Sequence, residues 1–346
     1  MRRTWGLGGA ALLLCGCGGL LFGGDGGGGD GDGDGDDDDG RETRNDGGDG
    51  EGGSEVTGWN GGDEGWDSEN DSSPPTTGIE PTGADNELPE GDDCPCVADN
   101  EDIYVLSDLG TIWRFDPQSV EFTYITEIDC GGMLDTFSMG VSRKGRAWVQ
   151  YQSGDLYTVD LKDPGSACKD PGFQPGNPLF PNFGMAFVAD SADQTCDKLY
   201  AHSGIGAGVE GPDAGALGVI DPQTIVLSEI AKIDSGWGEL TGTGDGRLFA
   251  FEGSEQTFLV EYDKDTAQVL GKWPLPGIEN PSAFAFAFWG GDFYMFTTEP
   301  DDLVNGSHVV HVDFDGSDGD PMALTLLIDE APLRIVGAGV STCAPL

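Results

Sequence analysis

From about residue 100 onward, apolar and polar positions alternate in short runs rich in aromatic and β-branched side chains, and Gly, Asp and Pro break the runs at close intervals. A period of two puts one set of side chains on each face of an extended strand, so the pattern predicts strands joined by tight turns. No stretch keeps a period of 3.6 residues. The expected class is all-β.

One phrase recurs: apolar, any residue, apolar, Asp, then a turn. It stands at 113–116, 157–160, 218–221, 260–263 and 310–313, with Gly at the first apolar place of the third copy. Its aspartates lie 44, 61, 42 and 50 residues apart, about 49 on average. Two apolar residues at period two face a neighbouring sheet, and the Asp side chain caps the turn that follows. These aspartates are therefore read as structural.

Other runs keep step with the phrase. A strand precedes each copy, at 102–106, 146–150, 198–202, 247–251 and 292–296. A further strand follows all but the second copy, which Pro164 and Cys168 blur. Copies two to five also carry an inner strand, beginning at Phe137, Met185, Glu239 and Ala283. Four strands per unit at about 49 residues is close to the period of a propeller blade. The first copy lacks its inner strand, and the chain ends with an orphan strand at 335–341 that shares Gly-Val-Ser with the second copy. Closing the ring with that last strand removes two open sheet edges. The prediction is a five-bladed β-propeller of four-stranded blades, closed by the C-terminal strand and filling 94–346. A β-sandwich or a two-domain β protein is the alternative.

Phrases such as TIWRFDPQS (111–119) and GDGRLFAFEG (244–253) resemble those of exported bacterial β-propellers. The resemblance spans about 100–342 and implies no particular activity.

The cysteines bear on closure. Six of the eight lie in the repeat region: Cys94, Cys96, Cys130, Cys168, Cys196 and Cys343. An even number suits an oxidising compartment. Cys343 follows the orphan strand and Cys94 and Cys96 precede the strand it should join, so Cys343 is expected to pair with one of them. Of the remaining pairs, Cys168 with Cys196 is preferred.

The first quarter has a different character. Arg2 and Arg3 precede an apolar run at 7–14, which is the grammar of a secretory signal. Sixteen residues at 7–22, five of them Gly, make a poor membrane span. Leu14-Cys15-Gly16-Cys17 resembles the bacterial lipobox, which implies a signal peptide at 1–16 and a lipid anchor on Cys17. Gly18 after that cysteine then implies the outer membrane. An ordinary cleaved signal is the alternative. From 23 to 93 there are 24 acidic and two basic residues among abundant glycines. Such a chain repels itself and has little apolar surface to bury, so 17–93 reads as a disordered tether. Asp30-x-Asp32-x-Asp34-Gly35 begins like a calcium loop, but Arg41 stands where a bidentate Glu is needed.

Over the whole chain 63 acidic residues face 16 basic ones, a formal charge of -47. That argues against nucleic acid as a partner, since both would be polyanions. A single copy, held to the membrane by its lipid, is expected.

Chemistry is sparse. The three histidines are His202, His308 and His311; the last two point to opposite faces of one strand and share no metal. No nucleophile elbow, phosphate loop or Cys-x-x-Cys pair occurs. In a propeller, the loops entering the inner strands and those joining second to third strands share one rim. The longest insertions, 201–216 and 297–307, fall at second-to-third loops. That rim gathers Asp135, His202, Trp237, Glu239, Glu252, Asn280 and Glu299 as candidate ligand contacts. Trp237 could stack on a sugar or anchor a protein, and the carboxylates could hold Ca²⁺. No cofactor is otherwise called for. The expected function is an envelope-anchored, non-catalytic module that binds a protein or glycan. The alternative is a metal-dependent hydrolase or lactonase with its site at the channel.

Overall fold

The computed structural model describes residues 94–346 apart from 133–134, 192–195, 207, 222–223, 254, 280, 301–305 and 318. The expectations for Cys17, for 1–16 and 17–93, and for Asn280 lie outside the described residues.

Nineteen strands follow one another. They are β1 (Ile103–Ser107), β2 (Thr111–Asp116), β3 (Glu121–Glu127), β4 (Thr136–Val141), β5 (Arg146–Tyr151), β6 (Leu156–Asp160), β7 (Phe183–Ala189), β8 (Asp197–Ser203), β9 (Glu210–Ile220) and β10 (Leu227–Ser235). Then come β11 (Gly238–Gly242), β12 (Leu248–Glu252), β13 (Phe258–Tyr262), β14 (Val269–Pro274), β15 (Ala283–Trp289), β16 (Asp292–Thr298), β17 (His308–Asp313), β18 (Ala323–Ile328) and β19 (Ile335–Val340). They form five antiparallel sheets: β19-β1-β2-β3, β4-β5-β6, β7-β8-β9-β10, β11-β12-β13-β14 and β15-β16-β17-β18. The innermost strands touch in a ring, β19 against β4 and β15, β4 against β7, β7 against β11, and β11 against β15. This is a five-bladed β-propeller.

The C-terminal strand completes the first blade as expected. β19 pairs with β1 from Ile103 opposite Val340 to Ser107 opposite Ile335. The second blade departs from four strands. Its outer edge is a single bridge between Thr158 and Lys169, because Pro164, Pro171, Pro175 and Pro178 crowd the segment after β6 and cannot donate to a ladder.

Burial explains how the runs read in the sequence. Inner and second strands are sandwiched on both faces, so β1, β7, β12 and β16 are buried throughout. Outer strands such as β3 and β18 show one face to solvent. Five apolar cores lie between neighbouring blades. The one between blades four and five is largely phenylalanine, with Phe293 packed edge-on to Phe249, Phe288 and Phe314. A ring of only five blades brings the inner strands very close. A Cβ on Gly337 would stand 2.8 Å from the backbone nitrogen of Met139, and one on Gly184 would stand 2.3 Å from the carbonyl oxygen of Gly238.

The disulfides are Cys94–Cys196, Cys96–Cys343 and Cys130–Cys168. Cys343 thus joins one of its two expected partners. The preferred pairing of Cys168 with Cys196 is wrong. The segment after β6 runs beside β3, where Thr126 donates to the carbonyl of Pro164 at 3.1 Å, so Cys168 meets Cys130 at the exit of that strand. Cys196 lies instead beside the N-terminal segment and Cys94.

Candidate ligand site at the channel mouth

The strand order places the second-to-third turns and the entries to the inner strands on one rim, and hydrogen bonds tie the two sets together. The Gly204 N–H donates to the carbonyl of Asn182, and Ile205 N–H to that of Gly236. In blade five the Ser307 N–H donates to the carbonyl of Leu333, and in blade two Gln152 N–H to that of Asp135. The first insertion is shorter as a loop than its sequence suggests. Residues 201–203 belong to β8 and 210–216 to a lengthened β9, which leaves 204–209. That loop rests on the connection leading to Trp237, since Gly236 N–H donates to the carbonyl of Val209. Of the second insertion, 301–305 lies outside the described residues.

Where the inner strands begin, one position recurs in each: Phe137, Gly184, Glu239, Phe284 and Val336. Four of these five, with Trp237, Gln152, Ser282 and Arg334, line a cavity of about 140 Å³ at the mouth of the channel. Trp237 sits between two phenylalanines, edge-on to Phe137 at 5.5 Å and to Phe284 at 6.0 Å. Arg334 reaches from the entry to β19. It donates to the carbonyl of Ser282 at 2.8 Å and to the carboxylate of Asp108 at 3.4 Å, while its Nε has no partner among the described residues.

Glu239 forms the polar floor and is 5% exposed. Ser138 Oγ donates to its Oε2 at 2.8 Å from across the channel. Burial pushes its carboxyl well above the usual range, against the opposing pull of the Ser138 hydroxyl and the Met185 N–H. The shift favours the protonated form, which beneath the aromatic wall can both donate and accept a hydrogen bond.

The structure sorts the sequence candidates. Trp237 and Glu239 come together in the cavity. His202 and Glu252 also meet, but inside the fold: His202 Nε2 lies 3.1 Å from Glu252 Oε1, and Tyr262 donates to the same oxygen at 2.5 Å. The imidazole packs behind Gly238, where a Cβ would come within 2.8 Å of its Nε2. The pair therefore supports the cavity from beneath. Burial and the adjacent Glu252 carboxylate both push the Tyr262 hydroxyl up. Asp135 is exposed at the rim. Glu299 lines a separate groove of about 680 Å³ beside His308, Leu326 and Asp329, on the flank of blades four and five. Phe137, Phe284 and Arg334 were not singled out from the sequence. The signal was available in the matching register of the inner strands. Among the described residues, the one group of three carboxylates able to share a cation is Asp292, Asp313 and Asp315, away from this cavity.

No protein-family model matches the chain, and a search of curated proteins finds no match. Among solved structures it is similar to one from a nidogen/laminin complex, at 16% identity and a TM-score of 0.40, covering 71% of this chain and 81% of that one. An auxiliary nutrient binding protein from Bacteroides thetaiotaomicron is similar at 11% identity and a TM-score of 0.39, covering 68% and 58%. Likenesses of this size add nothing to the blade order read from the strand pairing itself.

Proposed function

We propose that the chain is an exported binding module whose ligand enters the channel mouth, and that it does not catalyse. The observation that carries this reading is Glu239, a buried, hydrogen-bonded carboxyl at the foot of the Phe137–Trp237–Phe284 wall. Aromatic faces and edges with a few polar groups suit a sugar ring or the side chain of a protein partner. Arg334 and Gln152 would orient its polar edge. A cavity of about 140 Å³ takes one such group, not a large cofactor.

Among the described residues, Glu239 is the one acidic side chain lining the cavity. Glycoside hydrolysis ordinarily needs a pair, one acid and one base or nucleophile. A metal-dependent reaction would need its ion near the substrate, and the carboxylate group able to share a cation lies elsewhere. Three disulfides suit an exported protein. A lipid on Cys17 would keep it at the envelope, with 17–93 as its tether. Fatty-acid labelling in a bacterial host tests that part, and Cys17→Ser should abolish the label.

The binding reading is tested with an array of free mono- and oligosaccharides and aromatic peptides, followed by tryptophan fluorescence. Trp237→Ala should weaken capture at least ten-fold while the fold stays intact. A product that forms with the wild type and disappears with Glu239→Gln would overturn it in favour of an enzyme.

A further inference from the structure

The five phrase aspartates form an internal comparison. Asp116 accepts the N–H groups of Gln118 and Ser119 at 2.8 and 3.3 Å. Asp160 accepts those of Lys162 and Asp163 at 2.9 and 3.3 Å. Asp221 accepts Thr224 N–H at 2.8 Å, and Asp263 accepts those of Asp265 and Thr266 at 3.0 and 2.9 Å. Each caps its own turn, as the pattern predicts.

The fifth copy breaks the rule. Asp313 is 3% exposed, and among the described residues neither of its carboxylate oxygens has a hydrogen-bond partner. Capping has passed to Asp315, whose Oδ1 accepts Ser317 N–H at 2.7 Å. The turn is longer too, with β18 starting at Ala323. Asp292, at the head of β16, comes to the same place. Its Oδ1 accepts Phe314 N–H at 2.7 Å, and His311 Nε2 lies 2.9 Å from its Oδ2. One oxygen from each of Asp292, Asp313 and Asp315 lies within 4.8 Å of the others. Asp315 Oδ2 also crowds the backbone of Gly291, 2.5 Å from where a Cβ would stand, so only glycine leaves it that position.

A buried carboxylate without a donor costs several kcal/mol unless something positive compensates it. The His311 imidazole, on the same strand, is already engaged with Asp292. We infer that Asp292, Asp313 and Asp315 form a calcium site on the fifth blade. The donors are all hard carboxylate oxygens, which suit Ca²⁺ and not the softer transition metals. Ca²⁺ accepts irregular sets of six to eight oxygens more readily than Mg²⁺. His311 would hold Asp292 in place from behind, as outer partners of metal ligands do.

The site lies at the turns opposite the rim, since Asp292 follows the β15–β16 turn and Asp313 precedes the β17–β18 turn. It borders the closure of the ring. Gly290 N–H donates to the carbonyl of Pro345 at 2.9 Å, and Trp289 Nε1 donates to that of Glu101 at 2.8 Å. A bound cation would therefore stiffen the blade against which the first blade closes. It stands apart from the channel-mouth reading and survives that reading's failure.

The test is a titration of the full chain with Ca²⁺ alone at physiological ionic strength, where diffuse attraction to the remaining acidic residues is screened. Wild type, D313N and D116N are compared by calorimetry and thermal melting. Wild type and D116N should show one saturable site and a rise in melting temperature with Ca²⁺. D313N should bind at least ten-fold more weakly and lose the rise. Without calcium D313N should melt at or above wild type, because it removes an uncompensated charge. D315N serves as the second variant should D313N fail to fold, with the same loss expected. No saturable site in wild type, or D313N or D315N binding as wild type does, would overturn the assignment.

Discussion

Cys96 is bonded to Cys343, 247 residues along the chain, so the two ends of the propeller are clasped covalently where β19 joins β1. A second clasp lies alongside. Asp197 accepts Arg143 Nε at 2.7 Å and Thr342 Oγ1 at 2.8 Å, which ties blades two and three to the residues just past β19. In the chain-entropy account, closing a loop of this length stabilises by roughly 5 kcal/mol. Cys343→Ser should therefore lower the urea midpoint strongly and steepen the slope, because the uncrosslinked unfolded chain exposes more surface. Cys130→Ser should cost less, because its loop spans only 38 residues. Non-reducing peptide mapping with chemical denaturation checks both, and equal losses would show that loop length does not govern the effect.

The narrowness of the ring makes its own prediction. Gly337 faces the backbone of β4 so closely that a methyl group would meet Met139 N at 2.8 Å and Ser138 C at 3.0 Å. Backbone atoms cannot rotate aside as a side-chain tip can. Gly337→Ala should destabilise by about 1–3 kcal/mol through forced separation of blades one and two. Gly165→Ala meets nothing within 4 Å and should be close to neutral. Thermal melting of the two variants checks the contrast.

How much of this was legible follows from where the constraints sit. Strand runs such as Ala283–Trp289 and the five phrase aspartates were readable because period two and turn capping are local. Closure was readable because one blade lacked a strand and the chain end supplied it. The partner of Cys196 was not, since it depends on the path of the N-terminal segment, which runs beside the β4–β5 turn of blade two while Cys94 reaches Cys196. The missing fourth strand of blade two was half legible, in Pro164 and Cys168. The cavity was partly legible: Trp237 and Glu239 stood out as polar or large residues near loops, whereas Phe137 and Phe284 read as ordinary strand residues until the register aligned them. Asp313 was grouped with its four sisters because only three-dimensional placement separates a capped turn from an uncapped one.

His202, Glu252 and Tyr262 distinguish a supporting role from a binding one. Both His202 and Tyr262 contact one oxygen of Glu252 in the interior. Tyr262→Phe removes a donor while keeping the ring, so it should cost about 1–3 kcal/mol from the poorly compensated carboxylate. Ligand capture at the mouth should change less than two-fold once stability is allowed for. Denaturation beside binding checks this, and a ten-fold loss of affinity with unchanged stability would move Glu252 into the binding site.

Glu239 gives the stability a pH dependence of known sign. Unfolded, its carboxyl titrates near the ordinary value of 4.5, and in the fold burial lifts it well above that. The native state therefore holds its proton more tightly than the unfolded chain does. The stability this contributes is complete below about pH 4.5 and is lost as pH rises towards the native pKa, at about 1.4 kcal/mol for each unit of difference. Glu239→Gln is neutral at every pH and keeps an oxygen to accept from Ser138, so it has no such slope. The difference in unfolding free energy, wild type minus variant, cancels the other carboxylates and should fall steadily from pH 4.5 upward. Urea unfolding at several pH values measures it. A flat difference would mean that Glu239 is ionised in the native protein and that the floor of the cavity presents a charge to its ligand.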